Sequence, residues 1–323
     1  MALPVYASTL ERIWHYSYLA ICVAIFVFLI APILIVIPLS FNAEPYFTFT
    51  EKMLTFDPAG YSLRWYDTLL TLGHPAPEGP RDGVWWSAAW DKATWINAAR
   101  NSLWIGFWAT VMATVLGTIA ALGLSRPEMP YRRFIMAVLI SPMIVPIIII
   151  AVGMSFFYAQ ACVSPDSVFG AVLSPFLSQK GCLANSNLGI IMAHATLGIP
   201  FVIITVTATL SGFDQSLIRA AQSLGASPRT TFFNVVMPLI LPGVISGALF
   251  AFVTSFDEVV VVLFVAGPQQ QTIPRQMFNG IRESISPAIL AVATILVVVS
   301  VLLLTTVELL RRRSERLRGV TPR

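Results

Sequence analysis

The sequence predicts an all-α polytopic membrane protein with six transmembrane helices. Three observations carry that reading. Of 323 residues, 56% are hydrophobic and only 11% are charged, which is less than half the roughly 25% of a soluble domain. Such a chain has too little charge to coat a water-facing surface. Six long runs are almost free of charge, only the fifth holding an acidic pair inside it and the sixth ending in Glu308, and about 20 apolar residues cross a bilayer as a helix. Basic residues, in turn, collect in one short loop and at the C-terminus. This composition excludes a soluble enzyme, a disordered tail and a nucleic-acid binder. The formal net charge of +4 owes much to Arg311, Arg312, Arg313, Arg316, Arg318 and Arg323, a tail and not a basic groove.

The runs are Tyr18 to Leu39, Ser102 to Leu124, Phe134 to Tyr158, Leu188 to Leu210, Leu239 to Val265 and Pro287 to Glu308. All are expected to be helical, because bare backbone in lipid leaves its polar groups unpaired. The first reads as a retained anchor and not a secretory signal. It is longer than a signal core, contains Pro32 and Pro38, and follows Glu11, Arg12 and His15. The chain then divides into an N-terminus (1–17), a first span (18–40), an outer segment (41–96), a core of five further spans (97–310) and a basic tail (311–323).

Basic residues mark the cytoplasmic side of short loops. Arg126, Arg132 and Arg133 follow the second span, and the arginine tail follows the sixth. Both are assigned to the cytoplasm, and an even number of spans puts the N-terminus there too. The outer segment keeps Lys52, Arg64, Arg81 and Lys92, which a long translocated segment tolerates. The tail doubles as a contact for lipid head groups. Cys22 falls inside the first span, whereas Cys162 and Cys182 share the outer loop between the third and fourth spans. Two readings of that pair stay open: a disulfide on an oxidising side, or two unrelated small residues. No histidine lies near enough to suggest a metal site.

The outer segment is rich in turn-formers (Gly73, Pro75, Pro77, Gly79, Pro80, Gly83) and ends in Trp85, Trp86, Trp90 and Trp95. Aromatics approaching a span usually mark the membrane interface. The alternatives are a docking surface, or an aromatic wall in which Trp95 contacts a cationic solute.

The connection between the fourth and fifth spans, 211–242, has the most local design. Asp214 suits an N-cap, Gln215 to Leu224 reads as a helix ~15 Å long, Gly225 suits its C-terminal turn, and Ser227-Pro228 is an N-cap followed by proline at the first helical position. Leu217, Ala220, Ala221 and Leu224 share one face, and the alanines allow close approach by a cytoplasmic partner.

The run Arg219-Ala220-Ala221-Gln222-Ser223-Leu224-Gly225-Ala226-Ser227, followed by Phe232 and by Pro238-Leu239-Ile240-Leu241-Pro242-Gly243, resembles the EAA loop of bacterial ABC importer permeases. Arg219 stands where that motif usually begins with Glu. Tyr61-Ser62-Leu63-Arg64-Trp65-Tyr66, Asn101-Ser102-Leu103, Ala193-His194, Pro200-Phe201, Ser255-Phe256-Asp257-Glu258, Thr272-Ile273-Pro274 and Ser286-Pro287 are similar to the spermidine/putrescine-type permeases, and to the second of their two paired membrane subunits. Gly73 to Ala89 and Ser164 to Asn187 are longer than the family's usual segments. The resemblance implies the MetI-like type I importer fold in a bacterial inner membrane. It also implies a second, homologous permease, an ATP-binding-cassette ATPase dimer and a periplasmic substrate-binding protein. The loop, through Leu217, Arg219, Ala220, Ala221, Leu224, Gly225, Ser227 and Pro228, would dock in the ATPase and drive alternating access. ATP and Mg would be used by that subunit, with no cofactor on this chain. Accordingly, no lysine stands in a Gly-x-x-x-x-Gly-Lys-Ser/Thr run, and His15, His74 and His194 are too scattered for a nucleophile–base pair. No catalytic residue and no enzyme activity are expected.

Asp257 and Glu258 are the candidate path residues. On a continuous helix they lie ~21 Å along from Gly243 and point about 100° apart, so that one lines the path and the other braces it. Charge at that depth faces a pathway or a partner, and the resemblance implicates this pair in polyamine passage. The alternative is an ion pair with Arg100, Arg275 or Arg282. His194 reads more readily as a helix-to-helix hydrogen bond than as a transport group, and Pro142, Pro146 and Pro200 as ordinary membrane prolines than as kinks around a cavity. The expected substrate is putrescine or spermidine, the alternatives being an opine or amino-acid-derived solute. A free-standing secondary transporter with an ion-coupling acidic pair is the rival class, and an intramembrane enzyme a more distant one.

Overall fold

The computed structural model describes residues 8–126, 128–163, 177–178, 181–212, 214, 216–283 and 286–317, and every regular element among them is helical. The main helices are α1 (Thr9–Leu39), α2 (Arg64–Thr71), α3 (Gly83–Lys92), α4 (Thr94–Leu124), α5 (Arg132–Ile140), α6 (Ile147–Gln160), α7 (Asn187–Ser211), α8 (Ser216–Ser223), α9 (Pro228–Phe256), α10 (Val260–Val265), α11 (Ile273–Glu283) and α12 (Ala288–Leu317). Of these, α1, α4, α7 and α9 are long and apolar enough to cross a membrane, and the bent pair α5–α6 is apolar enough for a fifth crossing if its two halves count as one span. The sixth run lies on α12, whose Ala288–Leu302 portion is apolar. The chain divides into two compact units, 1–89 with 280–323, and 90–279.

In the unit 90–279, α4, α7 and α9 pack pairwise into the core. Lipid tails are as apolar as leucine, so burial alone does not drive helices together in a membrane; close backbone approach does. Small residues provide it here. A Cβ on Gly117 of α4 would stand 2.7 Å from Cβ of Val202 on α7. One on Gly198 would stand 2.9 Å from Cβ of Ala251 and 3.2 Å from Cβ of Ala113, so three helices meet at that level. Ala113, Ala121, Ala195, Val202, Val206, Ile240 and Ala251 form the buried layer.

Two spans expected to be single helices are broken. Between Phe134 and Tyr158 the chain runs through α5, a 3-10 turn at Ser141–Met143 and then α6, with a bend of 97°. Pro142 and Pro146 donate no backbone hydrogen bond, and Val145 is biased away from helical backbone by the proline that follows it. Pro146 itself has ψ 127°, outside the helical region. Proline alone does not decide this, since Pro32, Pro200 and Pro242 lie inside continuous helices. The fifth run breaks after Phe256, and α10 resumes at Val260 with Val261, Val262 and Val265 buried and packed beside α6.

The connection 211–242 is also shorter than expected, because Pro228 begins the same helix that ends at Phe256. A π turn at Phe232–Val236 sits where Pro238 has no N–H for the carbonyl four residues earlier.

In the other unit, Ser8 and Glu11 form a capping box at the start of α1. The turn-rich stretch after α1 is ordered by polar side chains. Asn42 donates from Nδ2 to the carbonyls of Tyr46 and Thr48, both at 3.0 Å, and Trp65 Nε1 donates to the Asn42 carbonyl at 2.7 Å. The ring of His74 stacks on Trp85 at 4.6 Å, its Nδ1 accepts from the Ala76 amide at 3.0 Å, and Arg81 pairs with Asp67. Trp85 is therefore buried, whereas Trp86 and Trp90 are exposed.

Gly117 and Gly123 share α4 but differ in surroundings, since a Cβ at Gly123 meets nothing within 4 Å. Gly117→Val is expected to cost about 1–3 kcal/mol through overpacking and to lower the thermal midpoint of the detergent-purified protein. Gly123→Val should leave that midpoint near the parent value, and equal effects of the two would contradict the packing assigned to Gly117.

Candidate functional site

The carboxylates sit at the break in the fifth span. The Asp257 amide donates to the Val253 carbonyl at 3.0 Å, closing α9, and the regular helix is interrupted until α10, although Asp257 and Val259 keep right-handed dihedrals. The continuous-helix geometry expected for the pair is thereby replaced, because both residues occupy a helix end and not a helix face. Glu258 is 8% exposed, and its Oε1 accepts from the Val261 amide at 2.9 Å. From one position before the N-cap residue Val259 it takes one of the first-turn amides of α10, which have no helical partner. Asp257 is exposed. A carboxylate beside the C-terminal end of α9, where the carbonyl dipoles concentrate negative charge, favours a cation such as an alkylammonium group.

Two of the arginines considered as partners are engaged elsewhere. Arg100 Nη2 donates to Asn97 Oδ1 at 2.6 Å, and Arg275 Nη1 donates to the carbonyls of Ala266 and Gly267 at 3.2 and 2.9 Å. Burial pushes the Arg275 guanidinium down from its ordinary value. Trp95 is 6% exposed, and its Nε1 has no partner among the described residues, so its indole is packed away from an open surface. One step from the carboxylates, Ser255 Oγ and His194 Nδ1 share a hydrogen bond of 2.7 Å across α9 and α7.

The segment past α10 is tied to the start of α4 by residues whose role the sequence did not show. Asn101 Nδ2 donates to the carbonyls of Gln269 and Gln271, both at 3.0 Å, and Ser102 Oγ accepts from the Ile273 amide at 2.8 Å. The available signal was a polar Asn-Ser pair placed at the head of an apolar run. Cys162 and Cys182 are joined in a disulfide, next to a short backbone pairing in which Val163 donates to Gly181 and Leu183 to Ala161.

The segment expected to meet a cytoplasmic partner is a compact helical turn. Asp214 Oδ1 accepts from the Ser216 amide at 2.8 Å and heads α8. The side-chain and backbone hydrogen bonds from Ser216 hold its carboxyl below the usual carboxylate range. Gly225 adopts φ 80°, a left-handed conformation that lets the Gly225 and Ala226 amides return to the carbonyls of Gln222 and Ala221. Ser227 Oγ then accepts from the Thr230 amide at 3.2 Å, and Pro228 starts α9. Leu217 and Leu224 are exposed, 42% and 88%, as are Arg219 and Ala220. Ala221 is half-buried, and Ile218 packs against the buried layer. The inward face is thus Ile218 and Ala221, which leaves Leu217, Ala220 and Leu224 open.

Comparison with known proteins identifies the family. The family model for the binding-protein-dependent transport system inner membrane component matches residues 113–318. The chain is 29% identical to the spermidine/putrescine transport system permease protein PotC of Haemophilus influenzae, over 90% of this chain and 94% of that one. It is 32% identical to the putrescine transport system permease protein PotI of Escherichia coli, over 84% and 82%. Among solved structures, a bacterial ABC transporter involved in the import of the acidic polysaccharide alginate has a chain that superposes with a TM-score of 0.60 at 15% identity, over 94% of this chain and 98% of that one. At that identity the likeness is one of fold.

Ser227→Ala removes a helix cap, at a cost of about 1 kcal/mol, and should speed amide exchange at Thr230 and Thr231 while leaving α7 unchanged. A depressed carboxyl stabilises the folded segment above its unfolded-state pKa, and that contribution is lost as pH falls through the lower, folded value. Acidification is therefore expected to fray the start of α8, seen as faster exchange at Ser216 and Leu217 after correction for intrinsic rates. Asp214→Asn, which still caps, should remove that pH dependence.

Proposed function

The chain belongs to the family of binding-protein-dependent transport system inner membrane components, and from that premise we propose that it forms half of the translocation path for a small polyamine, putrescine or spermidine. It is a multi-pass inner-membrane transport component and not an enzyme. In this reading it pairs with a second, homologous permease, and two ATPase subunits bind and hydrolyse ATP with Mg while a periplasmic binding protein delivers the solute. The loops bearing Arg126, Arg132 and Arg133 and the C-terminal tail face the cytoplasm, as does α8. The exposed face of Leu217, Ala220 and Leu224 seats on the ATPase, with the reverse turn at Gly225 and the cap at Ser227-Pro228 holding it in shape. Arg219 brings a positive charge to that contact.

The observation that carries the substrate class is the unlike use of the two carboxylates. Glu258 is consumed in capping α10, whereas Asp257 is exposed at the end of α9, so a single free carboxylate is offered to a cation at membrane depth. The names of the similar permeases, spermidine/putrescine and putrescine, support a polyamine as that cation.

The test is ATP hydrolysis by the purified complex in proteoliposomes supplied with its binding protein. Putrescine or spermidine should stimulate it and a neutral amino acid should not; stimulation by another solute alone would overturn the polyamine assignment. Loss of one charge-assisted hydrogen bond, about 1.5–3 kcal/mol, predicts that Asp257→Asn raises the half-saturating solute concentration tenfold or more. Glu258→Gln keeps the capping oxygen and should leave that concentration near the parent value. Glu258→Ala, which loses the cap, should instead lower the yield of assembled complex. Equal effects of Asp257→Asn and Glu258→Gln on half-saturation would refute the division of labour.

A further inference from the structure

We propose that His194 is a positioning residue that fastens the Asp257–Glu258 break to α7, so that motion of α8 reaches the path carboxylate; this rests on the importer reading above. The side chain is 1% exposed and lies among packed apolar groups of α7. Nδ1 is bound to Ser255 Oγ at 2.7 Å, and Nε2 has no partner among the described residues. A buried polar atom left unpaired is costly, so an imidazole is a poor choice here for packing alone. Its one bond is made to a residue that is itself 5% exposed and stands two positions before Asp257.

The helices supply the rest of the linkage. α7 is the central element of its unit, packed against both α4 and α9, and it ends at Ser211. Asp214 follows almost at once and caps the start of α8. A displacement of α8 therefore bears on the C-terminal end of α7, and a rigid helix delivers it to His194. On the other side, the α9 backbone ends at Phe256, so Ser255 is in the last turn with side-chain support before the chain goes irregular. Among the described residues no other side-chain hydrogen bond joins that turn to α7, and apolar contacts slide more easily than a directed hydrogen bond. The spare Nε2 gives the same ring a second polar atom, free to take a partner in another state of the transport cycle. Coupling of this kind travels through a physical contact whose two arrangements both sites bias.

The test follows position 257 directly and does not depend on which solute is carried. In the reconstituted complex, with Cys22→Ser removing the free thiol, Asp257→Cys reports its surroundings through its rate of modification by a membrane-impermeant thiosulfonate cation. The rate is compared without nucleotide and after trapping with ATP and vanadate. With His194 present, trapping is expected to change the rate by about fivefold or more, a typical coupling magnitude. His194→Ala should abolish most of that response. His194→Asn, whose amide puts a polar atom where Nδ1 stood, should restore it, which a role in packing alone would not predict. If His194→Ala fails to assemble, Ser255→Ala breaks the same bond from the other side with the loss of one oxygen and should act like His194→Ala. A full response in His194→Ala or Ser255→Ala overturns the proposal, as does an asparagine variant no better than alanine. An absent response with His194 in place also overturns it, while the polyamine reading is decided separately by which solute stimulates ATP hydrolysis.

Discussion

Hydrocarbon offers no hydrogen bonds, so every backbone N–H and C=O inside the membrane must be paired by the protein itself. Long helices meet that demand without help, whereas a break within a span exposes amides on one side and carbonyls on the other. The two broken spans of this chain are therefore where its side chains are most constrained. Glu258 supplies the acceptor that α10 lacks at its start, and a buried carboxylate is tolerated there because it has that donor to accept from. At the other break, Ser141 Oγ donates to the Val138 carbonyl at 2.8 Å and the Val145 amide to the Ser141 carbonyl at 3.0 Å, which covers part of what Pro142 and Pro146 cannot donate. The halves beyond the two breaks, α6 and α10, pack on each other, so each interruption lies next to protein.

This constraint separates what was legible in the sequence from what was not. The six runs could be found because charge in hydrocarbon is costly and its absence is easy to see. Their interruption could not. The run from Leu239 to Val265 continues in hydrophobicity on both sides of Asp257, and valines that read as the end of one helix build a separate short one. Prolines were visible, yet Pro200 and Pro242 are carried inside helices while Pro146 stands at the N-cap of a new one, α6. Burial does not separate them, since Pro242 and Pro146 are both exposed. The segment from Asp214 to Pro228 was almost wholly legible, because caps and left-handed glycine are local chemistry. Its boundary toward α9 was misjudged, since the π turn before Pro238 absorbs an interruption that looked like a loop. The sequence also predicted the likeness to spermidine/putrescine permeases that the comparisons report.

Glycine and alanine set how closely the helices of the unit 90–279 approach, and that closeness has a mechanical consequence. Where Gly198, Ala251 and Ala113 converge, three backbones meet with little flexible side chain between them, so displacement of one helix is passed to its neighbours with little loss. Apolar contact transmits a push well and a pull or a twist poorly, because it has no preferred direction. A hydrogen bond has one. This is why the polar groups of α7, few as they are, matter more for coupling than the area of its apolar face.

The same distinction orders the polar residues around the path. Glu258 and Ser255 both point into the protein, and each stabilises one side of the break: Glu258 the short helix beyond it, Ser255 the long helix before it. Asp257 lies between them and makes no side-chain hydrogen bond among the described residues, so its position follows from the two that do. A carboxylate held this way has no paired counter-charge among the described residues, which is the condition for it to attract a cation and then release it. Were it paired with Arg100 or Arg275, a cation would have to displace a guanidinium to bind; both arginines instead satisfy carbonyl or amide oxygens of their own surroundings. The arrangement suits weak, reversible capture of a cation, and in the proposed cycle directionality comes from moving the break itself, through the helix that His194 joins to it.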